Sequence, residues 1–252
     1  MVIPVWDHNP TRRRPYVTYA LIALNVVVFL MQPIVRSSVS GDVATAQACR
    51  QEAFFQRWGA IPKELLTNDP LDETAGPPAG EDQCYVVERD YDKSPFLSAI
   101  SAMFLHGGWA HLLGNMLFLF VFGNNVEDRF GRLRFLLAYL VWGVVATYGF
   151  AAADADSTAV VIGASGAIAG VLGAYLMMFP RAKVVSLVPI LFFFPLRLPA
   201  WVVLGLWFLL QWAFSSGATI TEGGGVAYLA HVVGFVAGVV AGLFFRGRRV
   251  PA

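Results

Sequence analysis

Charge is what this sequence has least of. Of its 252 residues only 14% are Asp, Glu, Lys or Arg, while 57% are hydrophobic; a typical soluble domain carries about 25% charge. The shortage excludes an ordinary soluble globule. A formal net charge of +1 gives no basic balance that would point to nucleic acid. Internal repetition is also missing, which argues against a small-solute transporter built from repeated halves with paired charges or broken helices. Arg12, Arg13 and Arg14 precede an apolar run from about Tyr16 to Met31, yet no small-residue cleavage pattern follows it. That run reads as a retained first span rather than a cleaved leader. Cysteine occurs only at Cys49 and Cys84. If their polar stretch faces an oxidising compartment they can pair, and two unrelated thiols remain the alternative, since sequence does not fix their distance.

What is present is a series of long apolar runs. A helix needs about 20 apolar residues to cross about 30 Å of hydrocarbon, and by that measure the spans are 16–33, 109–126, 135–153, 159–179, 199–215 and 226–245. The expected fold is an all-α membrane protein of six spans. Residues 34–108 form a long polar loop between the first two spans, with acids at Glu81, Asp82, Glu88, Asp90 and Asp92. Within it, 69–80 reads as a flexible excursion because of Pro70, Pro77, Pro78 and two glycines. Residues 95–105 are apolar enough to lie at the interface, and 184–198, interrupted by Pro189, Pro195 and Arg197, reads as an interfacial or partly buried piece.

Orientation follows from lysine and arginine in the short loops. Arg12–14, then Arg129, Arg132 and Arg134, then Arg181 and Lys183, then Arg246, Arg248 and Arg249 fall on one side. The opposite short loops, 154–157 and 216–225, have none. Both termini are therefore expected in the cytoplasm and the 34–108 loop outside. The expected divisions are a cytoplasmic segment 1–15, a membrane domain 16–245 and a basic tail 246–252.

Three spans carry costly polar groups. Gly163-Ala164-Ser165-Gly166 lies near the start of a run to Phe179, His231 near the start of the last run, and His111 with Asn115 in the second. Each has a bland reading: a serine bonding the carbonyl one turn back, a packing histidine with a backbone partner. Depth weighs against coincidence. At 1.5 Å per residue, Ser165 would lie about 9 Å, His231 about 7 Å, His111 about 3 Å and Asn115 about 9 Å from the same outer surface. Buried ionisable groups in a membrane are functional candidates by default. Gly166, Gly170 and Gly173 in the fourth span, and Gly234, Gly238 and Gly242 in the sixth, form small-residue stripes that let two helices meet closely. Such an approach would bring a serine and an imidazole to proton-transfer distance. No acid in a span completes a triad; Asp154 and Asp156 sit in a loop. Ala167 replaces the last glycine of the soluble-hydrolase elbow. Asn25 reads as an interhelical hydrogen bond.

In order and spacing, His106-Gly-Gly-Trp-Ala-His111-Leu-Leu-Gly-Asn115, Gly163-Ala-Ser165-Gly166 and Ala230-His231-Val-Val-Gly234 resemble the motifs of the rhomboid intramembrane serine proteases. The resemblance implies a six-helix rhomboid-like bundle that cleaves transmembrane proteins near the outer end of their membrane helix. Ser165 and His231 would form the dyad, with His111, Asn115 and the Ser165 N–H as the oxyanion hole. Gly163, Gly166, Gly170, Gly234 and Gly238 would pack around them. It implies no metal, organic cofactor or nucleic acid, and is silent on oligomeric state. The expected setting is a bacterial plasma membrane. Glu127 and Arg129 match a polar pair of the family. Ala169 stands where some members stack a tyrosine on the histidine, so that packing is absent or supplied elsewhere. The insertion around 65–90, flanked by the cysteines, has no family role. The other reading is a non-catalytic relative that binds or escorts membrane proteins.

Overall fold

The computed structural model describes residues 3–35, 41–80, 83–188, 194–215 and 228–246. It is mostly helical, in the order β1 (Ile3–Asp7), α1 (Tyr16–Met31), α2 (Asp42–Trp58), α3 (Pro62–Thr67), β2 (Glu73–Gly80), β3 (Gln83–Glu88), α4 (Pro95–Ser101), α5 (Trp109–Phe130), α6 (Arg132–Ala153), α7 (Ser165–Met178), β4 (Lys183–Val188), β5 (Phe194–Pro199), α8 (Ala200–Ala213) and α9 (Tyr228–Phe245). The loop at 216–225, the tail beyond Arg246, and Glu81, Asp82 and Pro189 lie outside the described residues.

Among the described residues, α6 and α9 are long and apolar enough to cross a membrane, and α4 with α5 pass together across an 84° bend. Three apolar helices are shorter: α1, α7 and α8. Outward faces stay apolar, as with Leu137, Val141 and Val145 on α6 or Val236 and Val240 on α9. Large aliphatic side chains on the outside of helices whose inside is also apolar suit a lipid neighbour rather than water. The interior packs Phe29 of α1, Leu119 and Phe122 of α5, Phe135 and Tyr139 of α6, and Leu172 of α7.

Several expectations are corrected. The fold is not all-α. Residues 184–198 do not form a loose interfacial piece: Lys183–Val188 and Phe194–Pro199 pair antiparallel, with β4 also paired to the N-terminal β1, giving the order β1-β4-β5. The Val-rich β4 is central, and the prolines of this sheet, Pro4, Pro195 and Pro199, fall on the two edge strands, where a missing N–H costs no ladder bond. Likewise 73–80 is no free excursion. It pairs with β3, and its register shifts around Pro78 absorb the prolines as bulges.

The run 159–179 is the third correction, because α7 begins only at Ser165. Before it, Val160, Val161 and Ile162 favour extended backbone, since β-branched side chains crowd a helix. Val161 makes a two-way antiparallel bridge with Ala60, N···O 3.1 and 2.7 Å. The 14 residues of α7 rise only about 21 Å.

The sheet end of the bundle is tied to the helices by buried polar groups. Asp7 Oδ2 accepts from the Tyr175 hydroxyl at 2.6 Å and from Asn125 Nδ2 at 2.8 Å, joining β1 to α5 and α7. Glu127 accepts from the N–H of Val17 and Thr18, at 3.0 and 2.7 Å, and from the Thr18 hydroxyl at 2.8 Å. It thereby caps α1, which has no cap of its own and whose positive end favours a carboxylate. Arg129 lies 5.1 Å over the Phe179 ring. Asn25 donates to the Leu21 carbonyl of its own helix at 2.7 Å.

Candidate active site

The nucleophile candidate owes its position to a turn. The chain arrives extended through Val161 and Ile162 and is held where Gly163 N–H donates to the Ala102 carbonyl at 2.8 Å. Gly163 then adopts φ +119°, a region that L side chains avoid. A side chain there would also strike the His111 ring, whose Nε2 lies 2.8 Å from the Cβ position. Ser165 follows as the first residue of α7. Its N–H belongs to the first turn, which has no intrahelical partner. A helix starting at 159 would have spent that N–H on the carbonyl of Val161.

His231 sits one turn into α9, buried, with its Nε2 2.7 Å from Ser165 Oγ. Glycines bring the two helices this close. A Cβ on Gly234 would collide with the Gly166 carbonyl oxygen, and one on Gly238 with that of Gly170. Further along, Gly173 meets the Phe235 carbonyl and Gly242 the backbone of Ala174. At Gly234, Gly238 and Gly173 backbone rests on backbone.

His111 and Asn115, one turn apart on α5, line the same cavity of about 620 Å³ as Ser165 and His231. Gly107 N–H donates to His111 Nδ1 at 3.4 Å. That acceptor role leaves the ring proton on Nε2 (the nitrogen beside Gly163), making Nε2 a donor. Asn115 Nδ2 is buried with no hydrogen-bond partner among the described residues. Four groups from three helices thus share one cavity: a hydroxyl, an imidazole acceptor and two N–H donors. Cys49 and Cys84 lie elsewhere; they form a disulfide between α2 and β3, Cα atoms 5.7 Å apart.

Two features were missed in the sequence. Gln211 of α8, a buried residue, places Oε1 2.7 Å from His231 Nδ1. It is the one amide in Ala200–Ala213, an otherwise apolar helix, and that isolation was the available signal. The ring packing absent at Ala169 comes from Trp207 of α8, 6.0 Å from the His231 ring, and from Tyr228, edge-on at 6.2 Å.

The Rhomboid domain family model matches residues 93–248, more than half of the chain. Rhomboid protein 1, mitochondrial, of Saccharomyces cerevisiae is 31% identical over 178 residues, 66% of this chain and 49% of the yeast protein. Two Bacillus subtilis proteins match over shorter stretches. The putative rhomboid protease YdcA is 39% identical over 79 residues, 31% of this chain and 39% of its own length. Rhomboid protease GluP is 44% identical over 77 residues, 31% of this chain and 15% of its own. The chain therefore spans about half the length of the yeast relative and less of the others. Relatives named for the mitochondrion stand beside bacterial ones, which removes the support for expecting a bacterial plasma membrane.

Proposed function

The chain belongs to the rhomboid family of integral membrane proteins, and on that premise we propose that it is an intramembrane serine endopeptidase acting through Ser165 and His231. The observation that carries the reading is the 2.7 Å contact from Ser165 Oγ to His231 Nε2 inside a cavity that also holds two N–H donors.

In this reading Ser165 gives its proton to His231 Nε2 as Oγ attacks the scissile carbonyl carbon. The carbonyl oxygen becomes an oxyanion, held by Ser165 N–H, Asn115 Nδ2 and His111 Nε2–H. Losing one such donor typically costs about 10²–10³ in rate. The imidazolium then passes the proton to the leaving amine, and an acyl-serine remains. Water, deprotonated by His231, attacks that ester, and the proton returns to Ser165 as the carboxylic acid leaves.

The topology proposed with this function has six spans, with the basic loops and both termini on the cytoplasmic side and 34–108 on the other. Residues 1–15, 16–245 and 246–252 are its divisions. Substrates are transmembrane proteins. A helical peptide bond is shielded, its carbonyl engaged by the N–H four residues on. Unwinding in hydrocarbon strands backbone groups at several kcal/mol each. Cleavage therefore falls near the outer end of the substrate helix, favoured by Gly, Pro or polar residues.

The test is cleavage of a poly-leucine membrane segment in which a Gly-Ala pair is moved stepwise, alongside labelling by a fluorophosphonate probe. Wild type should label and cut near the outer end, and Ser165→Ala should do neither. A wild type that neither labels nor cuts would remove the protease reading and favour a non-catalytic member that binds membrane proteins, whereas cutting by Ser165→Ala would remove Ser165 from the nucleophile's role.

A further inference from the structure

The dyad described above has a third contact. We propose that Gln211 is a positioning residue that fixes the tautomer and orientation of His231; the inference rests on the protease reading. A histidine has two ring nitrogens, and only the neutral form with its proton on Nδ1 leaves Nε2 free to accept from serine. The Nε2 atom faces Ser165 Oγ at 2.7 Å, and the opposite nitrogen faces Gln211 Oε1 at 2.7 Å. An amide oxygen only accepts, so it selects the Nδ1–H tautomer. The same amide turned about, with its NH₂ toward the ring, would put the proton on Nε2 and abolish the base.

The contact also holds a direction. Trp207 and Gln211 both belong to α8, four residues apart and so on one face of the helix. Trp207 lies against the His231 ring, centroids 6.0 Å apart, and Gln211 holds its edge. Together they leave the imidazole little freedom to rotate away from Ser165, which sits on a different helix. When His231 takes the serine proton, Nδ1–H becomes part of a cation and its bond to Oε1 strengthens. The interaction therefore favours the transition state over the resting state, which predicts an effect on kcat rather than on KM. A carboxylate in this place would do the same with full charge. The amide does it without leaving a charge buried among apolar helices.

Three proteins decide the matter: wild type, Gln211→Met, which keeps the length and loses the acceptor, and Gln211→Glu. Gln211→Met should lower kcat on a transmembrane substrate about 10- to 100-fold, as for a lost hydrogen bond to a charged group, with KM within about twofold. Gln211→Glu should recover most of kcat. Its acid limb for fluorophosphonate labelling should move to higher pH, because a neighbouring carboxylate favours imidazolium. Among the described residues, the other titratable groups lining this cavity are His111 of α5 and Tyr228 of α9; the described lining residues of α6 and α8 bring none. Both groups are common to all three proteins, so the difference isolates His231. An acid limb of Gln211→Glu that stays where wild type has it would mean that the side chain at this position does not face His231 Nδ1, and that result overturns the assignment. So does a Gln211→Met protein with wild-type kcat. Should Gln211→Met not fold, the acid limb of Gln211→Glu decides alone. An inert wild type would remove the protease reading and this inference with it, whereas a reactive wild type with an indifferent Gln211→Met removes only the latter.

Discussion

The contact between α7 and α9 and the segment between α1 and α5 are held together by opposite means. Along α7–α9 glycine meets carbonyl oxygen at Gly234, Gly238 and Gly173, with no ion pair among the contacts described. Between α1 and α5, Glu64 and Lys93 form an ion pair at 2.5 Å, each side chain almost wholly buried. Lys93 also donates to the Gln56 carbonyl, and the Gln56 side chain accepts from Thr74 and Ala75. Burial pulls the Lys93 ammonium below the ordinary lysine range, with Glu64 opposing. The difference follows from the surroundings. Lipid tails are as apolar as leucine, so helices in a membrane gain nothing by hiding apolar surface and adhere through shape. The segment between α1 and α5, built of short or polar helices, has a thin interior and is held by polar pairing and a cross-link.

The comparison breaks most visibly if the glycine contact is disturbed. Gly238→Ala places a methyl against the Gly170 carbonyl, and neither backbone has a side chain that can rotate away. Overpacking of this kind costs about 1–3 kcal/mol. Because α7 carries Ser165 and α9 carries His231, the separation that relieves the clash also parts these two side chains. Fluorophosphonate labelling should fall at least about tenfold, and the melting temperature in detergent should drop. Gly205→Ala on α8, where an added Cβ meets nothing within 4 Å, should do neither. Equal behaviour of the two variants would show that the interlock does not set the site.

The same contrast explains what was legible in the sequence. Apolar runs and glycine stripes announced α5, α6 and α9, and the shared depth of Ser165, His231, His111 and Asn115 pointed to one site. Hydropathy, however, does not distinguish a helix from a buried strand. The run Val160-Val161-Ile162 falls within the apolar stretch 159–179, yet its β-branched residues make it the extended approach to Ser165. Depth counted from 159 therefore described a helix that does not start there. Gln211 is the single polar side chain of its helix, with no second polar group one turn away to mark a shared face as His111 does for Asn115. The segment between α1 and α5 was opaque for a different reason. Its helices are polar or short, and its ribbon depends on a pairing that no periodicity encodes.

A smaller effect is expected where the two kinds of adhesion meet. Asp7 lies outside the spans but bonds Tyr175 of α7. Burial raises its carboxyl from 3.8 to about 6, with the Tyr175 bond opposing. Between those values the folded protein holds a proton that the unfolded chain has released. The stabilisation from Asp7 is therefore complete below about pH 4 and lost as pH rises through about 6. Wild type should lose a few degrees of melting temperature between pH 4.5 and 7 relative to Asp7→Asn, which has no such proton to release. Identical pH profiles for the two would show that β1 is not held through a titrating group.

The smallest effect on the site should come from the disulfide, although it closes a loop of 35 residues. A cross-link of that span stabilises by about 3–4 kcal/mol, mainly by limiting the unfolded chain. What it holds is the ribbon: Cys49 is on α2 and Cys84 on β3, which pairs with β2. The site is reached from this segment by another route, through the Ala60–Val161 bridge and the Lys63 N–H bonded to the Ser157 carbonyl at 3.1 Å. Ala60 and Lys63 flank the start of α3, which the Glu64–Lys93 pair anchors without the cysteines. Reduction should thus speed hydrogen exchange in 73–88 while Ser165 keeps its probe reactivity to within about twofold, since contacts in separate cooperative units open independently. Thiol counting on the denatured, non-reduced protein should find none, and two after reduction. Loss of Ser165 labelling on mild reduction would mean that the ribbon supports the nucleophile, and the division drawn between the two regions would fail.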